Sequence, residues 1–349
     1  MKFIILFFAF AALAAASEVD PEIEDAWVDF KVQHGKLFLS PGKEKKRKEA
    51  FADNYKSYKV HNAAFERGEI AYPKQIGPYS DLRPQEFMKR FTGVRFDDVK
   101  EHHHHKREHV AMRTHTPAVV DLRTDICVGP IKNQNPCGSC WAFSTLAAVE
   151  YTDCKKSGNV LTDLSEQHLV DCVYDRDGCE GGWMSTAMEW IRDNEVAIEE
   201  EYPYNKKYGK CNKNYVKKPK HKHIKMKGHK DKKGRCAVYI SDHDDDIRAA
   251  VNTYGVLAIC VDAGDWDGLQ GFTGILTKNN YNNAECTHAV NLVGYNFSDP
   301  SKPYWIVRNS WDTWFGEKGY IKIDARRDPH TKKNMGGFFT NRVIRPDLE

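Results

Sequence analysis

Cys140 is the residue whose surroundings most clearly suit chemistry. It stands at the start of the strongest helical pattern in the chain, expected over Ser139 to about Lys156, with Trp141, Phe143, Leu146, Ala147 and Val149 along it. A thiol is a good nucleophile only as the thiolate. The unpaired N–H groups and the positive dipole end of a helix N-terminus favour that anion. The alternative, a small buried core cysteine, fits poorly beside Gly138 and the polar stretch before it.

The elements needed to position such a nucleophile can be read around it. From about Asp20 to Gly93 the pattern is helical: Ile23, Trp27, Phe30 and Lys31 keep helical spacing, and a second helix is expected from Pro41 to about Arg67, with Phe51, Tyr55, Tyr58 and Phe65 among many Lys and Glu. Lys100 to His109 has no apolar residue to bury before Val110 and reads as an exposed linker. After Val119, Cys, Gly and aromatic residues become dense. A further helix is expected from Ser165 to Cys172, then short β-branched and aromatic runs at Val256 to Val261, Ala289 to Tyr295, Tyr304 to Arg308 and Gly319 to Ile323. Helices first and strands second predict an α+β unit of two lobes. Lys206 to Arg235 reads as a solvated loop or insertion rather than a polyanion-binding surface.

At 349 residues the chain suffices for one or two packed domains with appendages, and a formal charge of +3 is too small to imply a nucleic-acid partner. Lys2, the apolar run Phe3 to Leu13 and Ala14-Ala15-Ala16 predict a signal peptide over residues 1–16, because the run is shorter than the roughly 20 residues of a bilayer span. Secretion lets disulfides form and persist. The ten cysteines all lie at or beyond Cys127, so a cysteine-free N-terminal third precedes a stapled domain. With Cys140 kept free, an odd number remains, so at least one more is unpaired or bonded elsewhere.

Gln134-Asn135-Pro136-Cys137-Gly138-Ser139-Cys140-Trp141-Ala142-Phe143 resembles the active-site stretch of the papain-like cysteine proteases. Cys286-Thr287-His288-Ala289-Val290-Asn291-Leu292-Val293-Gly294-Tyr295 is similar to the family's His block. Tyr304-Trp305-Ile306-Val307-Arg308-Asn309-Ser310-Trp311 is similar to its Asn block. The resemblance implies a papain-like two-lobed fold, a helical lobe and a β-barrel-like lobe, preceded by a helical propeptide. It implies that His288 takes the proton of Cys140, that Asn309 orients the imidazole, that Trp311 shields that bond from water, and that Gln134 forms an oxyanion hole with the Cys140 N–H. It also implies substrate pairing at Gly181 and Gly182, and a second-residue (P2) pocket lined by Trp183, Met184, Cys260, Cys286 and Asn341, of apolar preference.

The same resemblance implies the disulfides Cys137–Cys179 and Cys172–Cys211, with Cys127–Cys154 as in the cathepsin B branch. Cys260 and Cys286 fall where two pocket residues face each other, and a bridge or a close thiol pair is expected there. The N-terminal third resembles the inhibitory propeptide of the cathepsin L branch: Arg47, Phe51, Asn54 and Asn62 keep its helical motif, with Tyr58 where Ile is usual. Tyr79 to Phe87 is similar to the part that packs on the enzyme. Other departures are Thr287 in place of Asp, Leu122 in place of Trp, and Asp312-Thr313-Trp314-Phe315-Gly316, which lacks two glycines and has Phe where Trp is usual.

The expected organisation is a signal peptide (1–16), an inhibitory propeptide with its His-rich linker (17–113) and a peptidase domain (114–349) starting near Thr114 to Thr116. The expected product is a secreted or lysosomal cysteine protease, an endopeptidase since no insertion resembling an exopeptidase's occluding loop lies between Gly182 and Cys211, made as a zymogen and activated at acidic pH. Protein or peptide substrates, the chain's own propeptide and cystatin-type inhibitors are the implied partners of a monomer, without nucleic acid or membrane. No metal and no organic cofactor is expected. Asn296-Phe297-Ser298 is the one glycan acceptor triplet. His102 to His105 and His109 would charge as pH falls through about 6.5, repel Lys106 and Arg107 and loosen the linker; metal binding and an inert linker are the alternatives. Rival activities are a Cys-His peptide ligase and an inhibitory protein on an inactive protease scaffold.

Overall fold

A computed structural model describes residues 20–95, 108–110, 116–212, 223–224, 236–277, 285–327 and 337–347. The apolar leader, nearly all of the His-rich linker, Thr114 and His115 at the expected start of the peptidase domain, and most of the Lys-rich segment lie outside the described residues.

The N-terminal segment folds as the apolar spacing requires. Asp20 caps helix α1 (Pro21–Gln33), accepting from the Glu22 N–H at 3.1 Å, and Pro21 opens it where no N–H donor is needed. Trp27 and Phe30 project from α1 onto Phe51 of α2 (Pro41–Glu66), with ring centroids 5.3 and 4.9 Å from it. Lys and Glu of the two helices face water as ion pairs such as Lys59–Glu22, which contribute little. A third helix, α3 (Pro84–Phe91), is tied to α2 by Arg47, whose guanidinium grips Glu86 with bonds of 2.8 and 3.3 Å. Asn54 of α2 donates to the Ser80 and Leu82 carbonyls at 2.8 and 2.7 Å.

The rest of the chain forms two lobes. Helix α4 (Cys140–Lys156) is buried on nearly every side from Cys140 to Tyr151, as an all-round apolar helix must be. Around it lie α5 (Glu166–Cys172), capped by Ser165, and α6 (Met184–Asn194). The second lobe is a sheet of strands β1 (Val119–Asp121), β4 (Ala237–Tyr239), β5 (Leu257–Val261), β6 (Ile275–Leu276), β7 (His288–Asn296), β8 (Tyr304–Arg308), β9 (Tyr320–Asp324) and β10 (Phe338–Pro346). The order is β4-β10-β5-β7-β8-β9-β6, with β1 on β7, antiparallel throughout except for β6 with β9. A separate pair joins β2 (Val196–Ala197) to β3 (His223–Ile224). Helix α7 (Asp244–Tyr254), not expected from the sequence, interrupts the strand-rich half; Asp244, Asp245 and Asp246 in its first turn complement the helix dipole.

The lobes meet at α4 and β7. Ser144 donates to the Val290 carbonyl and Asn291 donates back to the Ser144 carbonyl, both at 2.8 Å. Nearby, the ammonium of Lys132 lies 2.7 Å from Glu166, 2.6 Å from Asp163 and 3.5 Å from Glu150. Bridges join Cys127 to Cys154, Cys137 to Cys179, Cys172 to Cys211 and Cys260 to Cys286, leaving Cys140 and Cys236 free. Cys236 is thus the odd cysteine, buried in the core.

His168 of α5 is buried, its Nδ1 accepting from the Ala197 N–H at 3.1 Å, and burial pulls its pKa down to about 4. An unfolded histidine protonates near 6.5, so below that pH the unfolded chain binds the additional proton. The stability from neutral His168 is therefore whole above about 6.5 and is lost as pH falls toward the folded value, by roughly 3 kcal/mol at most. His168→Gln is expected to flatten the pH dependence of urea-unfolding midpoints between those limits; an unchanged dependence would contradict this assignment.

Candidate active site

Cys140 begins α4, with Ser139 as the preceding cap residue, so its sulfur lies at the end of the helix that carries unpaired N–H groups. The N–H of Ala289, the residue after His288, points at that sulfur at 3.4 Å. His288 opens β7, and its Nε2 lies 2.8 Å from Asn309 Oδ1, just beyond β8. That oxygen also accepts from the Ser310 N–H at 2.8 Å. The Ser310 N–H marks this atom as the amide oxygen, which can only accept, so Nε2 is the donor and the neutral ring leaves Nδ1 bare. Nδ1 has no hydrogen-bond partner among the described residues. The Trp311 ring stacks on the imidazole at 4.7 Å and 29°, and Trp266 meets it edge-on at 5.9 Å.

Gln134 is held by residues that sequence reasoning passed over. Ser310 Oγ donates to its Oε1 at 2.6 Å, fixing which end of the amide points inward, and Tyr204 donates to its main-chain carbonyl at 2.7 Å. Ser310 lay inside a quoted motif, but only the fold shows it touching Gln134. Trp266 and Tyr204 carry no local signal, since each is one aromatic residue in a loop. The inward Nε2 donates to the carbonyls of Cys137 at 3.1 Å and Phe91 at 3.2 Å.

Phe91 belongs to α3, and residues 91–95 lie across the cleft. The Phe91 carbonyl also accepts from Trp311 Nε1 at 3.0 Å. Gly182 donates to the Gly93 carbonyl at 2.9 Å and accepts from the Arg95 N–H at 3.1 Å, a parallel bridge opposite Val94. A side chain at Gly93 would meet the Gly138 carbonyl oxygen at 1.9 Å, and one at Gly138 would meet the Thr92 carbonyl at 2.7 Å, so the two backbones touch where only glycine fits. Under this lid Cys140 and His288 are fully buried. Burial pushes the Cys140 thiol up to about 12, against the pull of the Ala289, Trp141 and Gly93 N–H groups. It pulls His288 down to about 4, against the Asn309 hydrogen bond. Desolvation thus holds both groups neutral while the segment is in place.

The remaining expected site residues divide. Cys286 faces a gap of about 540 Å³ under the segment, beside Thr287, Glu180, Met88 and Val94, and is bridged to Cys260. Gly181 lies against Arg95. Trp183 and Met184 are fully buried and do not border this gap; the Trp183 indole instead donates to Tyr239 Oη at 3.0 Å. The side chain of Asn341 lies outside the described residues. Thr287, in place of Asp, accepts from the Ala263 N–H at 3.1 Å through its hydroxyl, and Phe315 stacks on Trp266 at 5.3 Å. Asn296 is half-buried at the end of β7, donating to Tyr304 Oη at 3.2 Å. Of the His-rich run only His109 is described, with its Nδ1 3.0 Å from Asp246. His102 to His105, on which the expected loosening of the linker rests, lie outside the described residues.

A thiol at a helix start, an imidazole oriented by an amide and an extended segment crossing the cleft define a thiol protease closed by its own N-terminal part. Residues 116–338 match the papain family cysteine protease model, and residues 27–87 match the cathepsin propeptide inhibitor domain. The chain is 33% identical to a cathepsin L-like peptidase of Aedes aegypti over 95% of this chain and 96% of that one, and 32% identical to digestive cysteine proteinase 1 of Homarus americanus over 94% and 96%. It resembles the structure of digestive procathepsin L 3 from Tenebrio molitor larval midgut with a TM-score of 0.73 and 30% identity, covering 93% of this chain and 99% of that one. The chain belongs to the papain family of cysteine proteases. It is a cathepsin L-like cysteine endopeptidase made as a zymogen, with its own propeptide as inhibitor and proteins or peptides as substrates.

Gly93→Ala is expected to loosen the closure by forcing the Gly138 contact apart. The purified zymogen should show at least about tenfold faster spontaneous appearance of peptidase activity, the factor given by ~1.4 kcal/mol. An unchanged rate would mean that the Gly93 contact does not govern latency.

Proposed function

We propose that Cys140, His288, Asn309 and Gln134 carry out peptide-bond hydrolysis through an acyl thioester once residues 91–95 leave the cleft. The observation that carries this reading is the bare Nδ1 of His288, the nitrogen left free to take a proton when Asn309 holds Nε2–H. Water entering the opened cleft removes the desolvation that keeps the pair neutral, and the helix end and imidazolium then favour the thiolate. The sulfur attacks the scissile carbonyl carbon while the developing oxyanion takes the Gln134 Nε2–H and the Cys140 N–H. His288 protonates the leaving amine, and water hydrolyses the thioester with the same imidazole as base.

Substrate would take the Gly182 hydrogen bonds now held by Gly93 and Arg95. Gly181, beside them, would leave room for its backbone. The P2 side chain would meet the Cys260–Cys286 bridge, whose apolar sulfur surface supports an apolar preference. Trp183 and Met184, buried in the closed zymogen, would line the same pocket with Asn341.

Activation at acidic pH is supported by the ion pairs that fold the propeptide. Burial draws the Glu86 carboxyl upward, but the Arg83 N–H and the Arg47 guanidinium outweigh it and hold the group below its ordinary value. A carboxylate so depressed stabilises the propeptide fully above its unfolded pKa of about 4.3 and loses that contribution as pH falls through the folded value. The disulfides support a secretory route to a lysosome or lumen, and the digestive Homarus and Tenebrio relatives support the lumen. A signal peptide over 1–16, a propeptide to about 113, a peptidase domain from 114, a monomeric state, sensitivity to cystatin-type inhibitors and a glycan at Asn296 belong to the same proposal.

Titration of the processed enzyme with an epoxide inhibitor of thiol proteases should abolish activity at one equivalent and label Cys140, and Cys140→Ser should take up none. Asn309→Ala should lower kcat/KM by about 10- to 100-fold without abolishing it. Full activity in either variant would remove the assignment, and transfer to an added amine in place of hydrolysis would favour a ligase. On a fluorogenic panel varied at P2, Leu or Phe should exceed Asp by at least about tenfold. Replacing Cys260 and Cys286 together by Ala should change that ratio; an unchanged profile would place the P2 side chain elsewhere.

A further inference from the structure

Tyr58 stands in α2 where the family's propeptide motif usually has Ile, and its phenol is not idle. Its Oη donates to Asp267 Oδ2 at 2.7 Å, across the boundary between propeptide and peptidase domain. The other oxygen of the same carboxylate accepts from Lys74 Nζ at 2.8 Å. Lys74 also lies 5.4 Å from the centre of the Tyr58 ring, so the three side chains form one closed contact. Tyr58 is 4% exposed, and the Lys74 and Asp267 side chains are 12% and 17% exposed.

The backbone around the contact is equally fixed. Asn62, one of the motif residues, donates to the Lys74 carbonyl and accepts from the Lys74 N–H, both at 2.8 Å, holding Lys74 beside α2. The Gln75 N–H donates to the Gly268 carbonyl at 2.8 Å, which aligns the peptidase turn Trp266–Gly268 with it.

From this geometry we propose that Tyr58 and Lys74 form a carboxylate reader, through which this propeptide selects peptidase domains that carry an acidic residue at the position of Asp267. The inference rests on the inhibitory role of the propeptide. Both readers are donors aimed at separate oxygens: an ammonium can only donate, and burial beside Asp267 pushes the phenol pKa up so that it keeps its proton. An amide at position 267 offers one oxygen and one NH2 group, so one reader would face a donor in a poorly hydrated place. An apolar residue there would leave both readers without an acceptor. Ile at position 58 would keep the packing and lose the reading.

The test uses the full-length zymogen and the rate at which activity appears spontaneously at fixed pH, followed by kcat/KM after processing. Tyr58→Phe, Tyr58→Ile and Asp267→Asn should each raise the activation rate by about tenfold. Tyr58→Phe combined with Asp267→Asn should be no faster than Asp267→Asn alone by more than about twofold, because the Tyr58 contact is removed by both. Exchanging the charges, Lys74→Asp with Asp267→Lys, should recover latency relative to either single change, which guards against simple misfolding. Processed Asp267→Asn should match the wild-type kcat/KM. Activation of Tyr58→Phe within about twofold of wild type, or single effects that multiply in the double variant, would overturn the reader. If the unprocessed wild-type chain is itself fully active, the inhibitory role fails instead, and the two failures are thereby distinguished.

Discussion

A thiol and an imidazole buried together without water are driven to opposite ends of their titration ranges, and latency follows from this. Cys140 is pushed up and His288 down by the same desolvation, so both stay neutral while residues 91–95 cover them. The inhibition is therefore electrostatic as well as steric. The segment keeps water from the cleft and also occupies the Gln134 and Trp311 donors with one carbonyl, that of Phe91.

The tightness of this closure depends on main chain more than on side chains. Gly93 against Gly138 and the paired bonds of Gly182 bring two backbones into contact along the cleft. The helices α1 to α3 have no part in the chemistry, yet they deliver this strand to its place. The clustered rings of Trp27, Phe30 and Phe51 and the grip of Arg47 on Glu86 hold them as one unit.

Departures from the usual family residues are absorbed locally. Thr287 takes a backbone hydrogen bond from Ala263, and Phe315 keeps an aromatic stack on Trp266. The aromatic wall around His288 is thereby conserved in function: Trp311 covers its face and Trp266 its edge. The Cys260–Cys286 bridge joins β5 to the residues leading into β7, on strands where Val261 lies opposite His288.

Much of this was legible without coordinates. The helix beginning at Cys140, those over 21–33 and 41–66, and strands β5, β7, β8 and β9 follow from apolar spacing, because burial on one face or all round leaves a periodic trace. The blocks holding Cys140, His288 and Asn309 were readable through their resemblance to the papain-like family. Residues such as Ser310, Trp266, Tyr204 and Asp267 act across long stretches of chain, and a contact between distant segments leaves no local pattern. The sequence left the Cys260–Cys286 pairing open, because it depends on two strands lying side by side. The amino-acid order thus determined which groups could react, whereas tertiary structure decided their protonation, their partners and their access to water, since those depend on what surrounds each atom in space.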